Sequence, residues 1–221
     1  MVREEDTSMK LLLLAAMTPL LGADIDLAGQ GKLTPQNCDI KVISTEGRKG
    51  IEALARPTAD ATAGSVVWIE GVEFSNGAVE LELSGEPGPG AGEAARGFVG
   101  VAFHADTEGK RMEIVYLRPT NGRADDQVRR NHSVQYESLP DYPWFRLRKE
   151  SPEKYESYVD LVPGAWTKYR LTVDGVKARL YVHGAGQPTL VVNDLKLGSG
   201  GRIGLWVGPG TRARFRSVIV R

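Results

Sequence analysis

The chain has 221 residues, with 28 Lys+Arg balanced by 28 Asp+Glu. A formal charge of zero supplies no long-range field for a polyanion, which excludes neither shape nor chemistry but argues against nucleic acid or an anionic membrane as partner. The length suffices for one sizeable domain with its own core, and 26 Gly with 12 Pro point to many turns between short strands.

At the N-terminus, Met9-Lys10, the apolar run Leu11 to Leu21 and the small pair Gly22-Ala23 have the layout of an export signal. The run is short for a bilayer, so no integral membrane span is expected. The acidic Glu4-Glu5-Asp6 is wrong for a basic leader and favours Met9 as the start. The expectation is a secreted or periplasmic protein, with residues 1–23 removed and a mature chain beginning near Asp24. The single cysteine, Cys38, excludes an internal disulfide framework and reads as a small buried residue.

Past Asp24, period-two runs recur between Gly, Pro, Asn and Asp. Gly50 to Leu54 predicts a turn of helix. Ser65 to Ile69 and Ala78 to Leu83 predict strands, joined through Asn76-Gly77, a pair that tolerates positive φ. Glu86 to Arg96 (EPGPGAGEAAR) predicts a mobile surface loop. Phe98 to His104 and Arg111 to Arg118 predict the next two strands. A long polar insert, Leu117 to Tyr158, follows. Trp166 to Val173 and Lys177 to Val182 then predict a hairpin turning at Asp174-Gly175, and Leu190 to Val192, Arg202 to Val207 and Ala213 to Val220 complete the set. Strands this short and numerous close most easily as two packed sheets. The predicted fold is all-β: a two-sheet antiparallel jelly-roll sandwich in one domain, residues 24–221, carrying the insert 117–158.

The runs GFVGVAFHA (97–105), MEIVYLRPTNG (112–122), GAWTKYRLTVDGVKARLYVHG (164–184) and GRIGLWVGPGTRARFRSVIV (201–220) resemble a concanavalin A-like lectin/glucanase domain. Within that superfamily they are most similar to laminin-G-like bacterial domains and to the 3-keto-disaccharide hydrolase domain family. The resemblance spans about Val66 to Val220, and the Gly-flanked Trp206 with its Gly-Pro-Gly-Thr turn is its most specific part. It implies a jelly roll with a carbohydrate-related role and one curved sheet presenting a concave polar face. It implies no particular reaction, because such a fold hosts binders, hydrolases and lyases alike.

The insert is longer than ordinary sandwich connections, and long loops with many aromatic residues are kept for a reason. It concentrates Arg118, Asn121, Arg123, Asp125, Asp126, Arg129, Arg130, His132, Gln135 and Tyr136, with Trp144 following. Planar donors and acceptors suit hydroxyl pairs, and a ring suits the C–H face of a sugar. These residues, together with His104 on the strand 98–104, are the candidate ligand contacts. The competing reading is that Arg118, Arg123, Asp125, Asp126 and Arg129 pair among themselves to fold a long loop.

His132, whose imidazole titrates near neutrality, is the candidate general acid/base, with Glu113 and Asp126 as candidate carboxylates. Glu80 and Glu82 share a strand face about 7 Å apart at Cα. Yet ELELSGE (80–86) departs from the Glu-x-Asp-x-x-Glu strand of the glucanases related by fold, against classical retaining hydrolysis. Asp125-Asp126 with Asn121 and Asn131 could offer oxygens to Ca²⁺, but Arg123, Arg129 and Arg130 compete for them, and neither a metal nor a cofactor is expected. For Trp206, core packing is favoured over a sugar platform. The functional expectation is a carbohydrate-binding or glycan-recognition domain using 118–158 over one sheet. The alternative is a glycoside hydrolase or lyase-type enzyme acting by acid/base chemistry on a disaccharide, its 3-keto form or an oligosaccharide, with Arg118 and Arg129 steadying a developing oxyanion.

Overall fold

The computed structural model of the protein describes residues 22–29, 32–57, 64–198 and 200–221. Of the expected export signal only Gly22 and Ala23 fall among them. Chain order among the described residues is β1 (Ala23–Ile25), β2 (Leu33–Gln36), β3 (Cys38–Thr45), β4 (Arg48–Ala55), β5 (Ser65–Glu73), β6 (Gly77–Pro87), β7 (Val99–Ala105) and β8 (Met112–Leu117). Then come α1 (Gln127–Asn131), β9 (Val134–Leu139), α2 (Trp144–Glu150), β10 (Glu156–Ser157), β11 (Thr167–Asp174), β12 (Lys177–Val182), β13 (Leu190–Val192), β14 (Arg202–Val207) and β15 (Thr211–Val220).

Two antiparallel sheets form a jelly-roll sandwich. The first runs β13-β12-β11-β6-β15-β4-β3, with β1 added to β15, and the second runs β10-β9-β8-β7-β14-β5-β2. The sheets differ in how they meet water. In β11, buried Tyr169, Leu171 and Val173 alternate with Lys168, Arg170 and Thr172, as expected of a strand solvated on one side. In β7, β8 and β9 every residue is buried. The second sheet is therefore covered on both faces. Its inner residues, such as Val99, Val101, Val115, Leu117 and Leu205, join the core between the sheets. Its outer residues, Val66, Trp68, Ala102, Ile114, Tyr116 and Trp206, form a separate apolar cluster.

Gly50 to Leu54, predicted as helix, lies in β4 and pairs with both β3 and β15. Glu, Ala and Leu favour helix locally, but pairing along both edges overrides that preference. Ile51 and Ala53 are fully buried, and a Cβ at Gly50 would meet the Phe215 carbonyl oxygen at 2.3 Å. Neighbouring backbone fills that space. The stretch 117–158 contains more regular structure than a loop: β9 pairs with β8 along its full length, from Met112↔Leu139 to Leu117↔Val134. Helices α1 and α2, of five and seven residues, are too short to write a helical period into the sequence.

Cys38 is 1% exposed, and burial pushes its thiol up to about 11, which leaves it an inert core residue at neutral pH. Glu80 and Glu82 lie on the outward side of β6. Glu82 accepts from Arg216 Nε at 2.5 Å and pairs with Arg48 at 2.8 Å, as part of an ion-pair lattice.

Glu113, His104 and Tyr136 sit between the sheets. Strict alternation puts His104 on the outer side with Gly100 and Ala102. A bulge opposite Arg202–Gly204 breaks that alternation, and His104, at φ 48°, turns inward. Its Nδ1 lies 3.1 Å from Glu113 Oε2 and its Nε2 2.9 Å from the Ser75 carbonyl oxygen. Glu113 Oε1 accepts from Tyr136 Oη (3.0 Å), Lys196 N (2.6 Å) and Leu197 N (2.9 Å). Three donors meet one oxygen of the carboxylate, and two acceptors flank the imidazole, so each buried polar atom of the group has a partner. This buried knot ties the segment 193–198 to β8. Removing one partner of such a pair costs about 3–5 kcal/mol. Glu113→Gln should therefore lower unfolding stability by that amount in urea titrations, and a loss under 1 kcal/mol would show the knot to be slack.

Candidate ligand-binding groove

Over the outer face of the second sheet, two adjoining hollows of about 360 and 300 Å³ share Ala94, Phe98 and Trp144. Together they make one groove with two chemically distinct ends.

The first end is aromatic. Tyr116 on β8 and Trp206 on β14 form its floor, with ring centroids 4.6 Å apart, and both are nearly covered. Such a pair contributes about 0.5–1.5 kcal/mol beyond its area. Phe98 meets Tyr116 edge-on at 6.1 Å. A Cβ on Gly208 would come within 2.4 Å of Phe98 Cβ and 2.9 Å of Trp206 Cη2, so only glycine lets these rings meet. The walls are Trp144 at the start of α2 and the segment 92–98, which the sequence suggested was a free loop. Trp206 is thus packed, as expected, but on the outer face rather than between the sheets.

Glu137, on β9, lines the same end and is 5% exposed. Burial pushes its carboxyl up to about 7, opposed by the Trp144 backbone N–H, which donates to it at 3.0 Å, and by Arg118. It meets the first unpaired N–H of α2 and fixes Trp144 over the groove.

The second end is cationic, lined by Arg96, Arg118, Asn121, Arg129, His132 and Arg148. Arg118 is 6% exposed; its Nη2 donates to Tyr116 Oη at 3.0 Å, and its guanidinium lies within 6 Å of the Phe98, Tyr116 and Trp144 rings. Asn121 donates to the His132 carbonyl oxygen (3.1 Å) and accepts from Arg129 Nε (3.4 Å), so it positions both neighbours. Arg148 forks onto Glu156 on β10 at 3.0 and 2.6 Å, and Glu156 also lies 3.4 Å from His132 Nε2. Desolvation lowers the His132 pKa; Arg148 and Arg118 reinforce this against the pull of Glu156, and the ring is neutral near pH 7.

Of the residues singled out in the sequence, Arg118, Asn121, Arg129, His132 and Trp144 converge here. Gln135 lies under Arg148, which donates to it at 3.4 Å, while its own amide serves the Tyr136 and Tyr155 carbonyls. Asp126 caps α1 by accepting from Arg129 N at 2.7 Å, and Asp125 is exposed beside it. Arg123 forks onto Asp160 and Arg130 onto Tyr158, both outside the groove lining. Glu113, His104 and Tyr136 face the other side of the sheet, apart from His132. Among the described residues no three His, Cys, Asp or Glu side chains gather as a metal-ligand group. Arg96, Phe98, Glu137, Arg148 and Glu156 were not singled out. Alternation in VQYESL (134–139) carries the signal for Glu137, once that run is read as a strand.

No family model matches the chain, and no curated protein matches it. Among solved structures it is similar to the carbohydrate binding module CBM66 from Bacillus subtilis, with a TM-score of 0.58 and 13% identity over 86% of this chain and 96% of that one. It is also similar to a Bacillus subtilis protein of unknown function with a galectin-like fold (TM-score 0.51, 14% identity, 90% and 98% covered). A provisionally named glycosyl hydrolase from Parabacteroides distasonis gives a TM-score of 0.50 at 14% identity, with 86% and 98% covered. These likenesses show the fold alone: an antiparallel two-sheet jelly-roll sandwich. No helix among the described residues is long and apolar enough to cross a membrane.

Glu137 makes stability depend on pH. Its folded-state value, about 7, lies above the ordinary 4.5, so its contribution is complete below pH 4.5 and is lost as pH rises through 7. Relative to wild type, Glu137→Gln should gain up to about 3 kcal/mol between pH 4 and pH 8, read from urea midpoints at each pH. Parallel curves for the two proteins would show that Glu137 titrates normally.

Proposed function

We propose that the protein is a carbohydrate-binding domain, exported from the cell that makes it, whose ligand lies in the groove over the second sheet. The observation that carries this reading is the joining of half-exposed rings, Phe98 and Trp144, to a row of planar donors, Arg118, Asn121, Arg129 and Arg148, in one groove. Rings meet the C–H faces of a sugar while fixed guanidinium and amide groups take its hydroxyls. The carbohydrate-related neighbours in fold support it, as does the likeness to laminin-G-like and 3-keto-disaccharide hydrolase domains. Truncating one such ring in a sugar site costs about 1–3 kcal/mol, so Trp144→Ala should weaken glycan binding by about fivefold or more in calorimetric titrations. Unchanged affinity would remove the groove from the interaction.

A second reading rests on Glu137 and His132, an acid raised to about 7 and a base lowered by burial within one groove. Groups whose environments push their pKa values apart are suited to acid/base cleavage of a glycoside. Incubating the protein with ordinary and 3-keto-disaccharides separates the two readings. Released monosaccharide that disappears in His132→Ala supports the enzyme; bound but uncleaved glycan supports the module.

A further inference from the structure

Four arginines line one small hollow, and their partners are unequal. Arg148 is neutralised by its fork onto Glu156. Arg96, Arg118 and Arg129 have no carboxylate within 4.0 Å among the described residues. Arg96 donates to the Glu93 and Ala95 carbonyls, Arg118 to Tyr116 Oη and the His132 carbonyl, and Arg129 to Asn121. Every acceptor around these three cations is uncharged. Arg118 is more than nine-tenths buried, and its Nε has no acceptor among the described residues.

Burial lowers the Arg96 pKa, and Arg129 and Arg118 lower it further, which reports three like charges within reach of one another. Guanidinium groups brought together in a partly dry hollow repel unless a counter-charge joins them. The remaining charged groups do not supply it: Glu137 is in the aromatic end at the edge of neutrality, burial disfavours the charged form of His132, Glu156 is engaged by Arg148, and Glu93, exposed in an open hollow beside Arg96 and Arg129, makes no ion pair with either among the described residues. The cluster is arranged for a ligand's charge, and planar forks match planar or tetrahedral oxyanions.

We propose that the Arg96–Arg118–Arg129 end of the groove is an oxyanion subsite, and that the glycan it takes is acidic, bearing a carboxylate or a sulfate ester. The proposal rests on the groove being the glycan site and adds which class of glycan it selects. The sugar ring lies against Phe98 and Trp144 while its anionic group enters the arginine end. Carboxylated and sulfated sugars share this chemistry.

The test is calorimetric titration with matched pairs: oligogalacturonate with its methyl ester, and a sulfated galactan oligosaccharide with its desulfated form. Inorganic sulfate is titrated separately and followed by tryptophan fluorescence. Each acidic member should bind at least tenfold tighter than its neutral counterpart, and the preference should shrink between 50 and 500 mM salt, as screening requires (about a threefold shorter Debye length). It should also be lost in Arg96→Gln/Arg129→Gln. If that double variant unfolds, Arg129→Gln alone, at an exposed position, carries the comparison. The larger preference, for carboxylate or sulfate, identifies the source of the charge. Neutral and acidic members binding alike, with affinity still dependent on Trp144, would overturn the subsite and leave the groove as a glycan site. Sulfate bound through these arginines without glycan binding would keep the subsite and overturn the glycan reading. No response to any of these probes overturns both.

Discussion

The structure turns on one constraint: the second sheet is apolar on both sides. A sandwich needs only one buried face per sheet, and the first sheet obeys that rule with Lys, Arg and Glu on its outer side. The second sheet has Tyr116, Trp206, Ile114 and Trp68 facing away from the core. Left open, that face would be a large exposed apolar patch. The chain instead folds α2 and the segment 92–98 over part of it. The roof does not close completely, and the remaining gap is the groove.

The same covering produces the electrostatics. Trp144 must begin a short helix above the sheet, so its backbone N–H needs an acceptor in a place that water scarcely reaches. Glu137 supplies one from the sheet below, and the burial that makes this contact possible raises its pKa. Arg118 approaches from the other side and lies among the rings rather than against a carboxylate. Floor, acid and cations follow from one packing problem at the end of β8 and β9.

Much of this was legible in the sequence, and the limits were physical. Strands β5 to β8 and β11 to β15 show alternation and turn chemistry, and each lies where these predict, within a few residues at the ends. That 117–158 packs against the sheet was legible too, because aromatic residues in a long polar stretch need somewhere to pack. Strand β4 was not, since Glu-Ala-Leu-Ala reads as helix until two partner strands are known. Nor was the side on which His104 lies: one bulge reverses it, and no local residue announces a bulge that depends on β14. Glu137 and Arg96 stayed hidden for a related reason. Their roles come from contacts across the chain, with Trp144 and with Arg118 and Arg129.

The central claim is that the outer face of the second sheet, beneath α2 and the segment 92–98, is where the protein meets its ligand. Four tryptophans report on it, at positions 68, 144, 166 and 206. Trp144 and Trp206 line the groove, whereas Trp166 sits beside Arg216 on the first sheet. Titrating ¹⁵N-labelled protein with acidic and neutral oligosaccharides, and following the four indole N–H resonances, tests the claim most directly. Shifts at Trp144 and Trp206 with Trp166 unmoved are the predicted result. Shifts confined to Trp166, with the groove indoles silent, would place the binding face on the other sheet and contradict it.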